Sequence, residues 1–319
     1  MATPKLIDIG ANLTDAMFRG VYNGKQAHAP DLAAVLARAW AAGVERIIVT
    51  GGSLKESREA LELADTDARL FCTVGVHPTR CSEFDESGDP VRHLQELEEL
   101  ARRGKERGKV VAIGECGLDY DRLQFCPAET QRKYFDHQFG LAERLGLPMF
   151  LHMRAAADDF CAIMRRNESR FRGGVAHSFT GSAEDLQKLL AFPTLSIGIN
   201  GCSLKTQENL DVMADVPLDR LLLETDSPYC DVRSTHAGFS HVATTWPSKK
   251  KEKHDAESLV KGRNEPCTMR QVLEVVAGHR RVTDVAGLAR AAHENTCRLF
   301  FPYDLDSIAG AVLERRTES

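Results

Sequence analysis

Val110-Val111-Ala112-Ile113-Gly114-Glu115-Cys116-Gly117-Leu118-Asp119 opens with four aliphatic residues in a row and then sets a carboxylate between two glycines. Unbroken aliphatic runs of this kind form strands buried on both faces, as in parallel sheets covered by helices. A charge at the end of such a strand is costly to desolvate unless it is paired or bound to a metal. Flanking glycines let the backbone approach a neighbour closely. The stretch therefore predicts a buried strand that delivers Glu115 to a metal site, with a strand-end salt bridge as the plainer alternative.

Working outward, seven further runs have the same character: Lys5 to Ile9, Arg46 to Thr50, Leu70 to Val76, Pro148 to Leu151, Gly173 to Ala176, Leu195 to Ile199 and Leu221 to Leu223. Helical patterns lie between them. Leu32, Val35, Leu36, Ala39 and Trp40 fall at helical spacing ahead of Gly43, and Pro90 to Arg103 is amphipathic. Ser53 with Glu56, and Ser182 with Asp185, read as capping boxes. Eight strands alternating with helices over short connections predict an α/β fold, a closed (β/α)8 TIM barrel forming a single domain over residues 1–319. Closure favours the barrel because it leaves no sheet edge. A doubly wound open sheet uses the same alternation and is the alternative.

Two segments depart from the alternation. Tyr229 to Glu265 (residues 229–265) is long and poor in apolar residues, and it carries Arg233, His236, Lys249, Lys250, Lys251 and Arg263. Loops of this length within compact domains are functional or disordered, and a functional loop is expected here. Residues 303–319 read as a C-terminal extension, with Ile308, Val312 and Leu313 on a short terminal helix.

The chain has 319 residues, of which 43% are hydrophobic, enough for one large core or two modest ones. Its formal charge of -5 excludes a surface that binds nucleic acid non-specifically. A phosphate-bearing partner must then be held by a local basic patch or by metal ions. Nine cysteines without a CxxC pair suit a reducing compartment rather than a disulfide framework. There is no apolar signal region, and no apolar run approaches the roughly 20 residues that span a bilayer. A soluble intracellular protein with no membrane partner is expected.

Barrel enzymes place their sites at the C-terminal ends of the strands. Those ends carry Asn12, His77, Glu115, His152, His177, Asn200 and Asp226. Taken singly, each is more readily a hydrogen-bonded strand-end residue. Taken together on one rim, Glu115, His152, His177 and Asp226 predict a divalent-metal centre. Imidazole and carboxylate donors without thiolates fit zinc, manganese or magnesium rather than a structural cysteine site. A carboxylate between two ions can bridge them, and such a pair clamps a phosphate and activates water, so hydrolysis is the expected chemistry. There is no GxSxG elbow and no GxGxxG fingerprint.

The motifs Ile7-Asp8, Gly75-Val76-His77-Pro78, Ile113 to Asp119, Leu151-His152-Met153-Arg154, His177-Ser178-Phe179-Thr180-Gly181, Glu224-Thr225-Asp226-Ser227-Pro228-Tyr229 and Arg263-Asn264-Glu265-Pro266 occur in this order. Over nearly its whole length the chain resembles the TatD family of metal-dependent deoxyribonucleases, within the amidohydrolase-like barrels, and is most similar to its eukaryotic branch. The resemblance implies cleavage of DNA phosphodiester bonds, as a 3′ exonuclease, an endonuclease or both, on single-stranded or nicked ends. It implies one or two divalent ions per chain, magnesium first, with zinc or manganese as alternatives. Glu115, His152, His177 and Asp226 match the family's metal positions, and His77 and Arg154 match residues near the substrate phosphate. Glu115, Asp226 and His77 are the expected catalytic residues. Arg263, Arg233 and Lys249 to Lys251 are expected to guide the strand, with a solvated loop as the equal alternative for the lysine run.

The chain also departs from the family pattern. Many relatives begin Asp-x-His-x-His, whereas this chain reads Asp8-Ile9-Gly10-Ala11-Asn12, without either histidine. That implies weaker ion binding and favours magnesium, which keeps several waters. Met153 and Ala155 stand where bacterial relatives have Cys and Asp. A monomer is expected, in the nucleus if the lysine run is an import signal, and otherwise in the cytoplasm. A cyclic-amide hydrolase and a non-catalytic barrel that binds a partner in DNA metabolism are the rival readings.

Overall fold

The computed structural model describes residues 3–302. The expected terminal helix and the rest of residues 303–319 lie outside the described residues. Eight strands, β1 (Leu6–Ala11), β2 (Val44–Val49), β3 (Leu70–Val74), β4 (Val110–Asp119), β5 (Met149–Arg154), β6 (Gly174–His177), β7 (Leu195–Ile199) and β8 (Leu221–Leu223), lie side by side in chain order. Each pairs in parallel with the next. Just beyond β8 the chain comes back to β1. The Asp226 N–H donates to the Gly10 carbonyl (2.8 Å) and the Asn12 N–H to that of Ser227 (2.7 Å), which closes the barrel at its C-terminal mouth. The alternative of an open doubly wound sheet is thereby set aside.

Ten helices accompany the strands among the described residues: α1 (Leu32–Ala41), α2 (Leu54–Ala64), α3 (Ser82–Glu86), α4 (Pro90–Glu106), α5 (Ala128–Leu145), α6 (Ala157–Arg166), α7 (Ala183–Leu190), α8 (Gln207–Ala214), α9 (Met269–His279) and α10 (Val285–Phe300). Ser182 and Asp185 form the reciprocal capping box expected of them. The box expected at Ser53 is half formed. Ser53 accepts from the Glu56 N–H, but the Glu56 carboxylate turns instead to Arg80 at 3.0 Å. No helix among the described residues is long and apolar enough to cross a membrane.

The strands bury both faces by alternation. Leu6 and Ile47 pack outward into the layer under the helices, while Ile7 and Ile48 point into the lumen with Ile9, Val111, Phe150, Val175 and Leu222. Phe300 and Phe301, at the end of α10, plug the N-terminal mouth. Phe301 meets Phe71 edge-on at 4.7 Å. The lumen is thus a packed floor, and Phe150 carries it up to the His177 ring at 4.4 Å. Whatever polar chemistry the barrel holds must sit above this floor.

The segment 229–265 crosses the C-terminal face as a loop with a two-residue ladder, Ser248–Lys249 beside Leu259–Val260. Its far end is anchored to the first loop of the barrel. The Arg263 guanidinium donates to both oxygens of Asp31 (2.7 and 2.6 Å) and to Glu265 (2.9 Å), and Glu265 also receives Arg38.

Candidate metal centre

Glu115 stands in the middle of β4, buried, because the strand runs on to Asp119, and here it passes β5 very closely. A Cβ at Gly117 would lie 1.9 Å from the His152 carbonyl oxygen, and one at Gly114 would lie 2.2 Å from that of Phe150. Both glycines have φ near +145°. The glycines around Glu115 therefore serve the approach of β5, which brings His152 to the same carboxylate.

Three imidazoles converge on one oxygen. Glu115 Oε1 lies 2.7 Å from His177 Nε2, 2.9 Å from His152 Nδ1 and 3.4 Å from His77 Nε2. Burial works against the charged carboxylate, but the attraction of His177 and His77 outweighs it, and Glu115 is held well below the ordinary glutamate range. Burial likewise opposes charge on His177, yet Glu115 and Glu224 raise it well above the usual imidazole value. His152 is also raised, against its own desolvation, by the neighbouring carboxylates of Asp119 and Glu115.

His77 behaves differently. Burial drives it down to about 4, so it is neutral near pH 7. Its Nδ1 accepts the Thr79 N–H at 3.1 Å, which puts the proton of the neutral ring on Nε2. A protonated Nε2 donates a hydrogen bond and does not ligate a metal. This separates His77 from its two neighbours.

Asp226 lines the same cleft, which has a volume of about 860 Å³. Its Oδ1 accepts from Asn12 Nδ2 (2.8 Å) and its Oδ2 from the Cys230 thiol (3.2 Å). Burial pushes its pKa up to about 6, with Glu115 and Glu224 adding to the rise and His177 opposing it. Its backbone is in the left-handed region (φ 52°), a conformation that non-glycine residues rarely hold without support.

Arg154 reaches the rim of the cleft, paired with Asp121 at 2.9 Å. Arg263 does not reach it. Its guanidinium is buried against Asp31 and Glu265, 5.0 Å from the Phe18 ring, so the expectation that Arg263 contacts substrate is corrected to an anchor of the long loop. Two carboxylates at the centre were not singled out from sequence. Asp119 Oδ2 lies 3.3 Å from His152 Nε2, and Glu224 Oε2 lies 3.3 Å from His177 Nδ1. Asp119 was legible as a partner at even spacing from Glu115 on β4, whereas Glu224 and Asp226 lie just beyond the end of β8.

Glu224 also accounts for the absence of a histidine at position 10. A Cβ at Gly10 would stand 2.8 Å from Glu224 Oε2 and 2.8 Å from the Phe150 ring, so a larger side chain has no room there.

The donor set fits a divalent metal. His152 Nε2 is buried without a hydrogen-bond partner, although a carboxylate oxygen stands nearby. Such a nitrogen costs free energy unless something occupies the space in front of it. His177 also has the arrangement found behind metal-bound imidazoles, with one nitrogen toward the centre and the other toward a carboxylate.

Comparison with known proteins decides the family. The model of the family described as TatD related DNase matches residues 7–301. The chain belongs to that family. A protein named Deoxyribonuclease Tat-D from Schizosaccharomyces pombe is 44% identical over 92% of this chain and 95% of its own length. One named 3'-5' ssDNA/RNA exonuclease TatD from Enterobacter lignolyticus is 35% identical over 92% and 98%. Among solved structures, a hydrolase TatD family protein from Entamoeba histolytica superposes with a TM-score of 0.88 at 35% identity, covering 95% of this chain and all of the other.

Proposed function

We propose that the protein is a divalent-metal-dependent hydrolase of DNA phosphodiester bonds, acting at the ends of single strands. The observation that carries this reading is the convergence of His77, His152 and His177 on Glu115 at the open mouth of the barrel. The names of the relatives, a deoxyribonuclease and an exonuclease of single-stranded DNA and RNA, support it.

Glu115, His152, His177 and Asp226 are the residues that would hold the ion or ions. A bound divalent cation supplies positive charge to the scissile phosphate and lowers the pKa of water beside it. Magnesium is the first candidate, and the imidazole donors make manganese and zinc the alternatives.

The chain's own groups then have separable roles. Asp226, near pKa 6, is unprotonated at neutral pH yet basic enough to take a proton from an attacking water. Neutral His77 offers its Nε2–H to a phosphate oxygen without carrying a charge that would repel the ion. Arg154 steadies the phosphate from the rim once it exchanges Asp121 for substrate. Glu224 fixes the His177 ring from behind. Residence in the nucleus belongs to the same proposal and rests on the run Lys249 to Lys251.

A 3′ or 5′ end-labelled single strand and a duplex, incubated with magnesium, manganese or zinc, test the reading with Asp226→Asn alongside. Metal-dependent loss of the 3′ label from the single strand, abolished by chelation and reduced at least a hundredfold in the variant, is expected. Turnover of a dihydroorotate-like ring with no cleavage of DNA would replace the proposal with the cyclic-amide reading.

A further inference from the structure

The cations on the open face of the barrel are not equally available. Arg263 is buried with two carboxylates, Arg233 is paired with Asp231 at 2.9 Å, Arg80 with Glu56 at 3.0 Å and Arg154 with Asp121 at 2.9 Å. Lys249 is bound to Asp255. Among the described residues, Lys250, Lys251 and Lys261 have no carboxylate within ion-pair distance. These three converge on one groove of about 450 Å³ beside the main cleft, and Asp15 and Ala16 line both.

The groove has the parts that a single strand needs. Tyr22 contributes an aromatic face, and the Lys251 ammonium stands 4.9 Å from its ring centre. Gly24 and Gly262 edge the groove with nothing within 4 Å of where a Cβ would be, which leaves open space for a base. Its acidic residues are Glu252 and Asp15, and Asp15 is already engaged by the Tyr229 hydroxyl (2.6 Å) and the Met17 N–H (2.8 Å).

The two walls are tied together from below. Tyr22 bonds His28 at 3.1 Å, and His28 stacks on His254 with ring centres 4.1 Å apart. His254 bonds Asp31 at 2.9 Å, and Asp31 is clamped by Arg263. The groove is therefore formed in advance of binding.

We propose that this groove is a second subsite, in which Lys250, Lys251 and Lys261 bind backbone phosphates and Tyr22 stacks a base of the single DNA strand whose end lies in the cleft. Grooves that combine positive charge with an aromatic face bind single strands with little regard to sequence. The proposal rests on the nuclease reading for the identity of the strand. It explains how a chain of net negative charge holds nucleic acid, by setting three unpaired cations along one path that leads from the cleft, whose own lining includes Arg19 and Lys205.

The test uses the full chain and the triple variant Lys250→Glu/Lys251→Glu/Lys261→Glu. Binding of a labelled single-stranded oligodeoxythymidylate of about twelve nucleotides is followed by anisotropy in metal-free buffer at several salt concentrations. Hydrolysis of bis(p-nitrophenyl) phosphate, a substrate too small to reach the groove, is measured with metal. The variant is expected to bind the strand at least about tenfold more weakly, with a log–log salt slope shallower by about two, as for the loss of three phosphate contacts on a single strand. Its turnover of the small ester is expected to stay within about twofold of the parent. Unchanged strand affinity and slope with normal ester turnover overturn the groove alone. Loss of ester turnover in the variant overturns the separation of groove from cleft. A parent that binds the strand through these lysines but cleaves neither substrate overturns the nuclease reading and leaves the groove standing.

Discussion

Two clusters in this barrel are built from the same kinds of side chain and differ in what fills them. At the cleft, His77 and His152 face Glu115; where the long loop meets the first loop of the barrel, His28 and His254 face Asp31. Asp31 already has a permanent cation, because Arg263 grips both of its oxygens at 2.6–2.7 Å. Glu115 faces only imidazoles, and one of these, His152, keeps a buried nitrogen without a partner. Histidines and a carboxylate within reach of one another do not by themselves make a metal site. The space must also lack a resident charge. The first cluster is therefore the proposed centre and the second a structural clamp.

The largest expected effect separates the two by activity. Glu115→Ala removes the oxygen shared by three imidazoles, and metal-dependent cleavage is expected to fall on the order of a thousandfold or more. Asp31→Ala is expected to leave the turnover of bis(p-nitrophenyl) phosphate within a few-fold of the parent. Comparable losses in both would erase the distinction.

Stability should show the reverse order. Asp31→Ala leaves the buried Arg263 with Glu265 as its one carboxylate beside the Met17 carbonyl, and breaking a buried pair costs about 3–5 kcal/mol. Urea denaturation of the variant is expected to show a loss of that size. A shift below about 1 kcal/mol would mean that Arg263 finds water.

The clusters also differ in how they respond to pH. His177 is raised well above 6.5 by Glu115 and Glu224 despite burial, so a divalent ion must displace its proton. Metal affinity is then expected to rise with pH, by up to about tenfold per unit for each proton displaced, with protons released on binding. Calorimetry in buffers of different ionisation enthalpy counts them. In the metal-free protein the sign for stability is opposite. A raised imidazole contributes stability that is fully present below about 6.5 and is lost as pH rises through the raised value. Asp31 is depressed from 3.8, with Arg263 and His254 outweighing its burial. Its contribution is present above about 4 and is lost only as pH falls through the depressed value. Arg263 does not titrate, so this pair adds no dependence across neutral pH.

The smallest expected effect concerns Asp226. Cys230→Ser keeps a donor to Oδ2, whereas Cys230→Ala removes it. The serine variant is expected within about twofold of the parent, and the alanine variant lower by about three- to tenfold in kcat, because a hydrogen bond to a charged group is worth about 1.5–3 kcal/mol in full and only part of it acts here. Equal rates for serine and alanine would show that Asn12 alone positions the carboxylate.

The barrel was legible because its strands are near-continuous aliphatic runs, and no other arrangement of eight such runs avoids an edge. Glu115, His152, His177 and Asp226 were legible as strand-end residues of metal-binding type. Three features were not. The role of Arg263 depends on Asp31, 232 residues away in sequence, and nothing local distinguishes a buried arginine from a guiding one. The availability of Lys261, against the engagement of Lys249, depends on which acid each can reach across the loop. The narrow space at Gly10 is set by Glu224 and Phe150, far away in sequence, so the missing histidine at position 10 read as a loss when it is also a packing requirement.

Equilibrium binding of manganese, followed by the paramagnetic signal of the free ion in the parent, Glu115→Ala and Asp31→Ala, tests the central claim most directly. Binding retained in parent and Asp31→Ala and abolished in Glu115→Ala is the predicted result. Binding that survives in Glu115→Ala, or that disappears in a folded Asp31→Ala, would contradict it.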